Sequence, residues 1–169
     1  MFDISIYDKM SLNDRYDTML TSLEGLISGD ESDLTKLCNA AALINALISD
    51  LNWCGFYIYS NNELVLGPFQ GMPACTKIKV EAGVCGKAAS TKETIVVEDV
   101  HSFEGHIACD SASNSELVVP IVKDDNLIGV LDLDSFKVGR FSNSEKIYLE
   151  KAVEVLNKYI NWEHIISAF

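Results

Sequence analysis

Apolar residues first recur every three or four positions, then every second position, and then return to the helical spacing. In SLNDRYDTMLTSLEGLISG the residues Leu12, Tyr16, Met19, Leu20, Leu23 and Ile27 form one helical stripe. Ser11 is the expected N-cap and Gly29 the expected stop. A second helix follows in SDLTKLCNAAALINALISD, with a stripe of Leu34, Leu37, Cys38, Ala41, Ile44, Leu47 and Ile48. Cys38 lies on that stripe and is read as a small core residue. WCGFYIY and ELVLGPF around SNN then read as a hairpin, and SELVVPIV and NLIGVLDLD around KDD as another. TKIKV and TIVVEDV are two shorter strands, with a short helix starting near GVCGKAAS between them. The last element is one long amphipathic helix, SNSEKIYLEKAVEVLNKYINWEHII. Ser142 or Ser144 caps it, and Ile147, Leu149, Ala152, Val153, Leu156 and Ile160 form its apolar side. This order predicts an α+β fold: an antiparallel six-stranded sheet, helices packed on one face, and loops covering a ligand pocket on the other. No repeat, low-complexity tract or linker breaks the chain, so residues 1–169 are read as a single domain.

Side chains alternate across a strand, which sorts these segments into faces. Cys54, Phe56 and Ile58 share one face of the first strand; Trp53, Gly55, Tyr57 and Tyr59 share the other. Leu131 and Leu133 oppose Val130, Asp132 and Asp134, and Leu117, Val119 and Ile121 oppose Glu116, Val118 and Pro120. The apolar faces are expected against the helices, with Cys54 in that core. The opposite face then collects Trp53, Tyr57, Glu116, Asp132 and Asp134. Carboxylates on an apolar central strand are costly unless a cation or several donors meet them. Two readings stand. The acids sit at a solvated strand end, or they form the anionic floor of a pocket with Trp53 and Tyr57 as its aromatic wall.

The net charge of −12 argues against nucleic acid and anionic membranes as partners and fits a small cationic or zwitterionic ligand. The opening MFDISIYDKM lacks the apolar core of a signal peptide. No stretch has the roughly 18 apolar residues of a membrane helix, so a cytoplasmic location is expected. Five cysteines, an odd number, do not suggest a structural disulfide framework, and no CxxC pair is present.

Cys75, Cys85 and Cys109 lie in or beside loops bordering the carboxylate-bearing face, unlike Cys38 and Cys54. That placement raises thiol chemistry as a reading. A metal alternative uses His101, His106 and Cys109 with Asp99, but H-x4-H-x2-C is not a standard zinc spacing, so no metal is expected. Cys109 beside His106 lacks a nucleophile elbow, and neither GxGxxG nor a P-loop is present to hold phosphate.

The ordered segments NWCGFY, LVLGPFQG, GVCGKA, EDVHSFEGHIACDSASNSE, LIGVLDLDS and GRFS, spread over about residues 51 to 143, resemble the free methionine-(R)-sulfoxide reductases, a family built on the GAF domain. The resemblance implies reduction of free L-methionine-(R)-sulfoxide through a cysteine sulfenic acid and an intramolecular disulfide, with thioredoxin as reductant and no cofactor. It places the nucleophile on Cys109, the resolving thiol on Cys75 and an accessory thiol on Cys85, with Cys85 the alternative nucleophile. Substrate-binding positions fall on Trp53 and Tyr57 for the S-methyl group and on Glu116, Asp132 and Asp134 for the polar end. Family members often pair as homodimers. Two departures stand out: Cys54 where a small residue such as alanine is expected, and Glu81 where glycine is common. A non-catalytic GAF sensor is the alternative, disfavoured because no output domain or coiled-coil linker is visible.

Overall fold

The structure, a computed structural model, describes residues 6, 7, 9–107 and 109–169. The first five residues, read above for targeting signals, lie outside that range. Helix α1 spans Leu12–Ile27, and the Ser11 hydroxyl accepts the Asp14 N–H as the expected cap. It ends one turn-residue short of Gly29, with the Ser28 N–H closing onto the Glu24 carbonyl. Helix α2 spans Asp33–Leu47 and is capped by Ser32. Strands β1 (Leu51–Ser60) and β2 (Glu63–Gly71) form the first hairpin, and β3 (Lys77–Lys79) returns beside β2. Helix α3 (Gly83–Thr91) leads to the short β4 (Ile95–Val97), and β5 (Ser115–Lys123) and β6 (Asn126–Ser135) form the second hairpin. The six strands lie in the order β3-β2-β1-β6-β5-β4, all neighbours antiparallel.

The C-terminal segment corrects one expectation. Instead of a single helix, α4 (Asn143–Tyr159) stops at an extended Ile160, and α5 (Trp162–Ile166) starts anew. Asn161 causes the break: its side chain accepts the Glu163 N–H, and its own N–H donates to Asp33 at 3.0 Å. An Asn that caps a new turn competes with helix continuation. At the other end of α4, Ser142 and Glu145 form a reciprocal capping box. Glu145 also accepts from Arg140 and from the Tyr16 hydroxyl, both at 2.8 Å.

The sheet has an apolar layer on each side. Cys54, Phe56, Ile58, Leu117, Val119, Ile121, Leu131 and Leu133 pack against α1, α2, α4 and α5, as the alternation predicts. The opposite layer holds Trp53, Tyr57, Leu64, Ile78, Val118 and Val130. It is covered by loops and also by α3, through Val84, Cys85, Ala88 and Ala89. The loops expected over this face share it with α3, the short helix expected near GVCGKAAS. Each fully buried side chain of this size contributes about 1.5–3 kcal/mol, so the helix-side layer is large enough to carry buried carboxylates on the other face.

Several positions of the expected helical stripes are exposed, Leu12 among them. Cys38 is exposed, not core. The stripe that α2 buries runs through Leu37, Ala40, Ala41, Ile44 and Leu47, and at 3.6 residues per turn Cys38 rotates out of it. Ile147 is exposed for the same reason, and Leu34, in the first turn of α2, is exposed as well. Among the described residues, no helix is long and apolar enough to cross a membrane.

Candidate active site

The sheet register assembles the site. Trp53 on β1 lies opposite Asp134 on β6, and Asp134 lies opposite Glu116 on β5. In the next row, Gly55 lies opposite Asp132, which lies opposite Val118. One more row carries Tyr57 and Val130. Three carboxylates therefore stand on two adjacent rows of two neighbouring strands, Glu116 on β5 and Asp132 and Asp134 on β6. Gly55 is what lets the aromatic wall close. A Cβ there would meet the Phe69 Cβ at 2.4 Å and the Trp53 Cη2 at 2.7 Å. With only hydrogen at that position, the Trp53 ring stacks on Phe69 at 5.4 Å and on Tyr57 at 5.7 Å between centroids.

Two loops and α3 close the cavity over this floor. It is lined by Trp53, Tyr57, Cys85, Glu116, Asp132 and Asp134 from the regular elements, and by His106, Cys109, Asp110 and Ser113 from the loop before β5. Cys75, from the β2–β3 connection, is joined to Cys109 by a disulfide with Cα atoms 5.4 Å apart. Both loops are held from below. The Tyr57 hydroxyl donates to the Cys75 carbonyl at 3.0 Å, and Trp53 Nε1 donates to the Met72 carbonyl at 3.2 Å. Asn52 Nδ2 donates to Asp110 Oδ2 at 2.9 Å and to Ser113 Oγ at 3.0 Å. In this disulfide-bonded form the free space is about 30 Å³ for the centres of water-sized molecules, room for about two waters.

The electrostatics are one-sided. No Lys or Arg is among the described residues lining the cavity. Burial, then repulsion from Asp132 and Asp134, pushes the Glu116 carboxyl well above the usual range. Burial raises Asp132 to about 7, with the neighbouring Cys85 and Glu116 side chains pulling partly the other way. Asp134 is raised by burial and by the Asp132 charge. Burial and the Asp132 and Glu116 charges also raise the Cys85 thiol, whose Sγ lies 3.8 Å from Glu116 Oε1. His106 Nε2 is 3.8 Å from Glu116 Oε2, and burial lowers the His106 pKa, so the ring is neutral at pH 7. The floor thus keeps protons that exposed carboxyls would have lost, and Asp132 Oδ1 is buried with no hydrogen-bond partner. A cation would satisfy it.

All five residues gathered by strand alternation reach one cavity with Cys85 and Cys109, and Cys75 is bonded at its rim. Cys85 is in helix α3 and buried, not in a loop. Cys54 is buried in the helix-side layer. The His101, His106, Cys109 and Asp99 set does not converge: His101 Nε2 contacts Asn114 Oδ1 at 3.0 Å, Asp99 Oδ1 accepts the His101 N–H, and Cys109 is bonded to Cys75. Sequence reasoning missed Asn52 and Phe69. A register shift between Leu51 and Trp53 takes Asn52 out of simple alternation, and another between Gly55 and Tyr57 sets Phe69 opposite Gly55.

The chain is similar to known proteins over most of its length. The family model described as the GAF domain matches residues 33–160. Free methionine-R-sulfoxide reductase of Escherichia coli (strain K12) is 44% identical over 151 residues, covering 89% of this chain and 92% of that protein. Free methionine-R-sulfoxide reductase of Saccharomyces cerevisiae is 45% identical over 148 residues, covering 83% and 82%. The X-ray structure of free methionine-R-sulfoxide reductase from Neisseria meningitidis in complex with its substrate matches at TM-score 0.84 and 38% identity, covering 89% of this chain and 90% of that one. Likeness of this extent, over nearly the full length of each partner, places the chain in the GAF-domain family, where it belongs to the free methionine-R-sulfoxide reductases.

Proposed function

We propose that this chain reduces the R epimer of free L-methionine sulfoxide to methionine, using Cys109 as nucleophile, Cys75 as resolving thiol and thioredoxin as reductant. The observation that carries this reading is the Cys75–Cys109 disulfide at the rim of a cavity with an aromatic wall and a carboxylate floor. The related proteins named above as free methionine-R-sulfoxide reductases support it. The S-methyl group packs on Trp53 and Tyr57. The substrate ammonium meets Glu116, Asp132 and Asp134, where Asp132 Oδ1 lacks a partner.

With the disulfide reduced, the Cys109 thiolate attacks the sulfoxide sulfur. The substrate sulfur–oxygen bond breaks as an oxygen–sulfur bond forms to Cys109, the transient sulfur–sulfur bond cleaves with its electron pair leaving on methionine, and Cys109 is left as the sulfenic acid. A neutral carboxylic acid must protonate that oxygen, and the raised Glu116 and Asp132 carboxyls keep such a proton in the floor. The Cys75 thiol then attacks the sulfenic sulfur, water leaves, and the disulfide forms. Thioredoxin returns two electrons by thiol exchange. Asp110 beside Cys109 opposes thiolate formation, but Asn52 and the Ala112 N–H engage its two oxygens and draw on that charge. A peptide-bound residue lacks the free ammonium and brings a chain that the covering loops exclude.

The test is turnover of R and S epimers, free and peptide-bound, with a thioredoxin system. Turnover of the free R epimer alone is expected, and Cys109→Ser abolishes it. Near-wild-type turnover in Cys109→Ser sinks the nucleophile assignment. Binding of the free amino acid without turnover favours the sensor reading.

A further inference from the structure

The floor of the cavity carries more than carboxylates. Cys85, Glu116 and Asp132 each present one ligand atom, all within 4.8 Å of one another and all buried. His106 stands on the far side of Glu116, with Nε2 3.8 Å from Oε2. We propose that Cys85, Glu116, Asp132 and His106 form a binding site for one borderline-soft divalent transition-metal ion of the zinc class, and that occupancy closes the cavity to an amino acid.

Donor chemistry selects the class. Thiolate and imidazole favour zinc, cobalt and their neighbours over calcium or magnesium, which take oxygen ligands in larger number. Zinc–sulfur bonds are about 2.3 Å and zinc–oxygen and zinc–nitrogen bonds about 2.0–2.2 Å, so ligand atoms around a tetrahedral ion stand roughly 3.5 Å apart. The Cys85 Sγ to Glu116 Oε1 separation of 3.8 Å is already close to that spacing. The remaining separations among Cys85, Glu116 and Asp132 are at most 4.8 Å and shorten to that spacing by side-chain rotation.

A group of acids alone does not make a site. Here Asp132 is only 6% exposed, and its Oδ1 has no hydrogen-bond partner in the protein. A buried unpartnered oxygen is costly, and Asp132 lines the same cavity as Cys85, Glu116 and His106. The free volume in the disulfide-bonded form, about 30 Å³, admits an ion without the loop movement that an amino acid needs. On binding, a sulfur–metal bond replaces the Cys85 S–H bond and the thiol proton leaves to solvent. No electron is transferred.

The disulfide simplifies the experiment. With Cys75 and Cys109 bonded to each other, the remaining thiols are Cys38, Cys54 and Cys85. Cys54 is sealed in the opposite layer, and Cys38→Ser removes the exposed one. Oxidised Cys38→Ser protein is titrated with cobalt(II). One ion per chain is expected, with a sulfur-to-cobalt charge-transfer band in the near ultraviolet that zinc abolishes by displacement. Adding Cys85→Ser eliminates the band. Adding Asp132→Asn instead weakens cobalt binding by about tenfold or more, which keeps the test open if Cys85→Ser folds poorly. A band unchanged by either substitution, or no band in a large excess of cobalt, overturns the proposal. The band reports metal and the turnover assay reports chemistry, so either reading can fail without the other.

Discussion

Replacing Asp132 with Asn should stabilise the substrate-free protein at alkaline pH while weakening substrate binding. Asp132 has an ordinary value of 3.8 and is raised to about 7 in the fold, chiefly by burial. A tenfold change in proton affinity is worth about 1.4 kcal/mol. Ionising Asp132 in the folded protein therefore costs about 4 kcal/mol more than in the unfolded chain. The sign follows from proton counts. Between about pH 4 and pH 7 the folded state binds more protons than the unfolded state, so stability falls as pH rises through that window. The contribution is complete below the unfolded value and lost above the folded one. Glu116 and Asp134 are raised in the same direction and steepen the fall. Asn keeps the volume and cannot ionise, but its buried amide lacks ready partners, which costs about 1–3 kcal/mol. The expected net gain is about 1–3 kcal/mol near pH 8 and turns into a loss of about 1–3 kcal/mol near pH 4, where only the amide cost remains. Denaturant unfolding of wild type and variant, with the disulfide in the same state, measures it. The same substitution removes a charged partner from the ammonium and should raise KM about 10- to 100-fold. An Asp132→Asn protein no more stable than wild type near pH 8 refutes the reasoning that the empty floor is electrostatically strained.

Gly55→Ala puts a methyl group 2.4 Å from the Phe69 Cβ and 2.9 Å from its Cα, so the strand must shift; about 1–3 kcal/mol of destabilisation in denaturant unfolding and a raised KM are expected. Glu81 holds φ at 75°, a left-handed conformation that strains a residue with a Cβ; Glu81→Gly should stabilise by about 0.5–1 kcal/mol in the same assay, without changing turnover. Glu145, lowered to about 2 by hydrogen bonds from Ser142, Arg140 and Tyr16 against the opposing effect of burial, gives the opposite pH limb. Its folded value lies below the unfolded one, so its stabilisation is present above about pH 4.5 and lost as pH falls toward 2; Glu145→Gln should flatten that acid limb.

Much of the site was legible because a strand has a period of two. That period alone put Trp53, Tyr57, Glu116, Asp132 and Asp134 on one face, and the sheet register then placed the acids on neighbouring rows. It failed where the period breaks. Asn52 sits beside the shift between Leu51 and Trp53, and no alternation rule predicts that it holds Asp110 and Ser113. His106 comes from a loop, so its approach to Glu116 depends on tertiary packing. The Cys75–Cys109 pairing, across 34 residues, came from family resemblance and not from spacing. Cys38 was misread because a stripe one residue too wide still looks helical. The C-terminal break was missed because Asn161 sits within an unbroken apolar pattern and acts through its cap.

The central claim is that the rim thiols are consumed in step with the guest held by the acids. Fully reduced protein, mixed with free methionine-(R)-sulfoxide and no other reductant, should lose about two thiols per chain. Peptide mapping should find Cys75 joined to Cys109, with methionine released in equal amount to the disulfide. An unchanged thiol count, or a disulfide that forms equally well without the sulfoxide, would contradict the account.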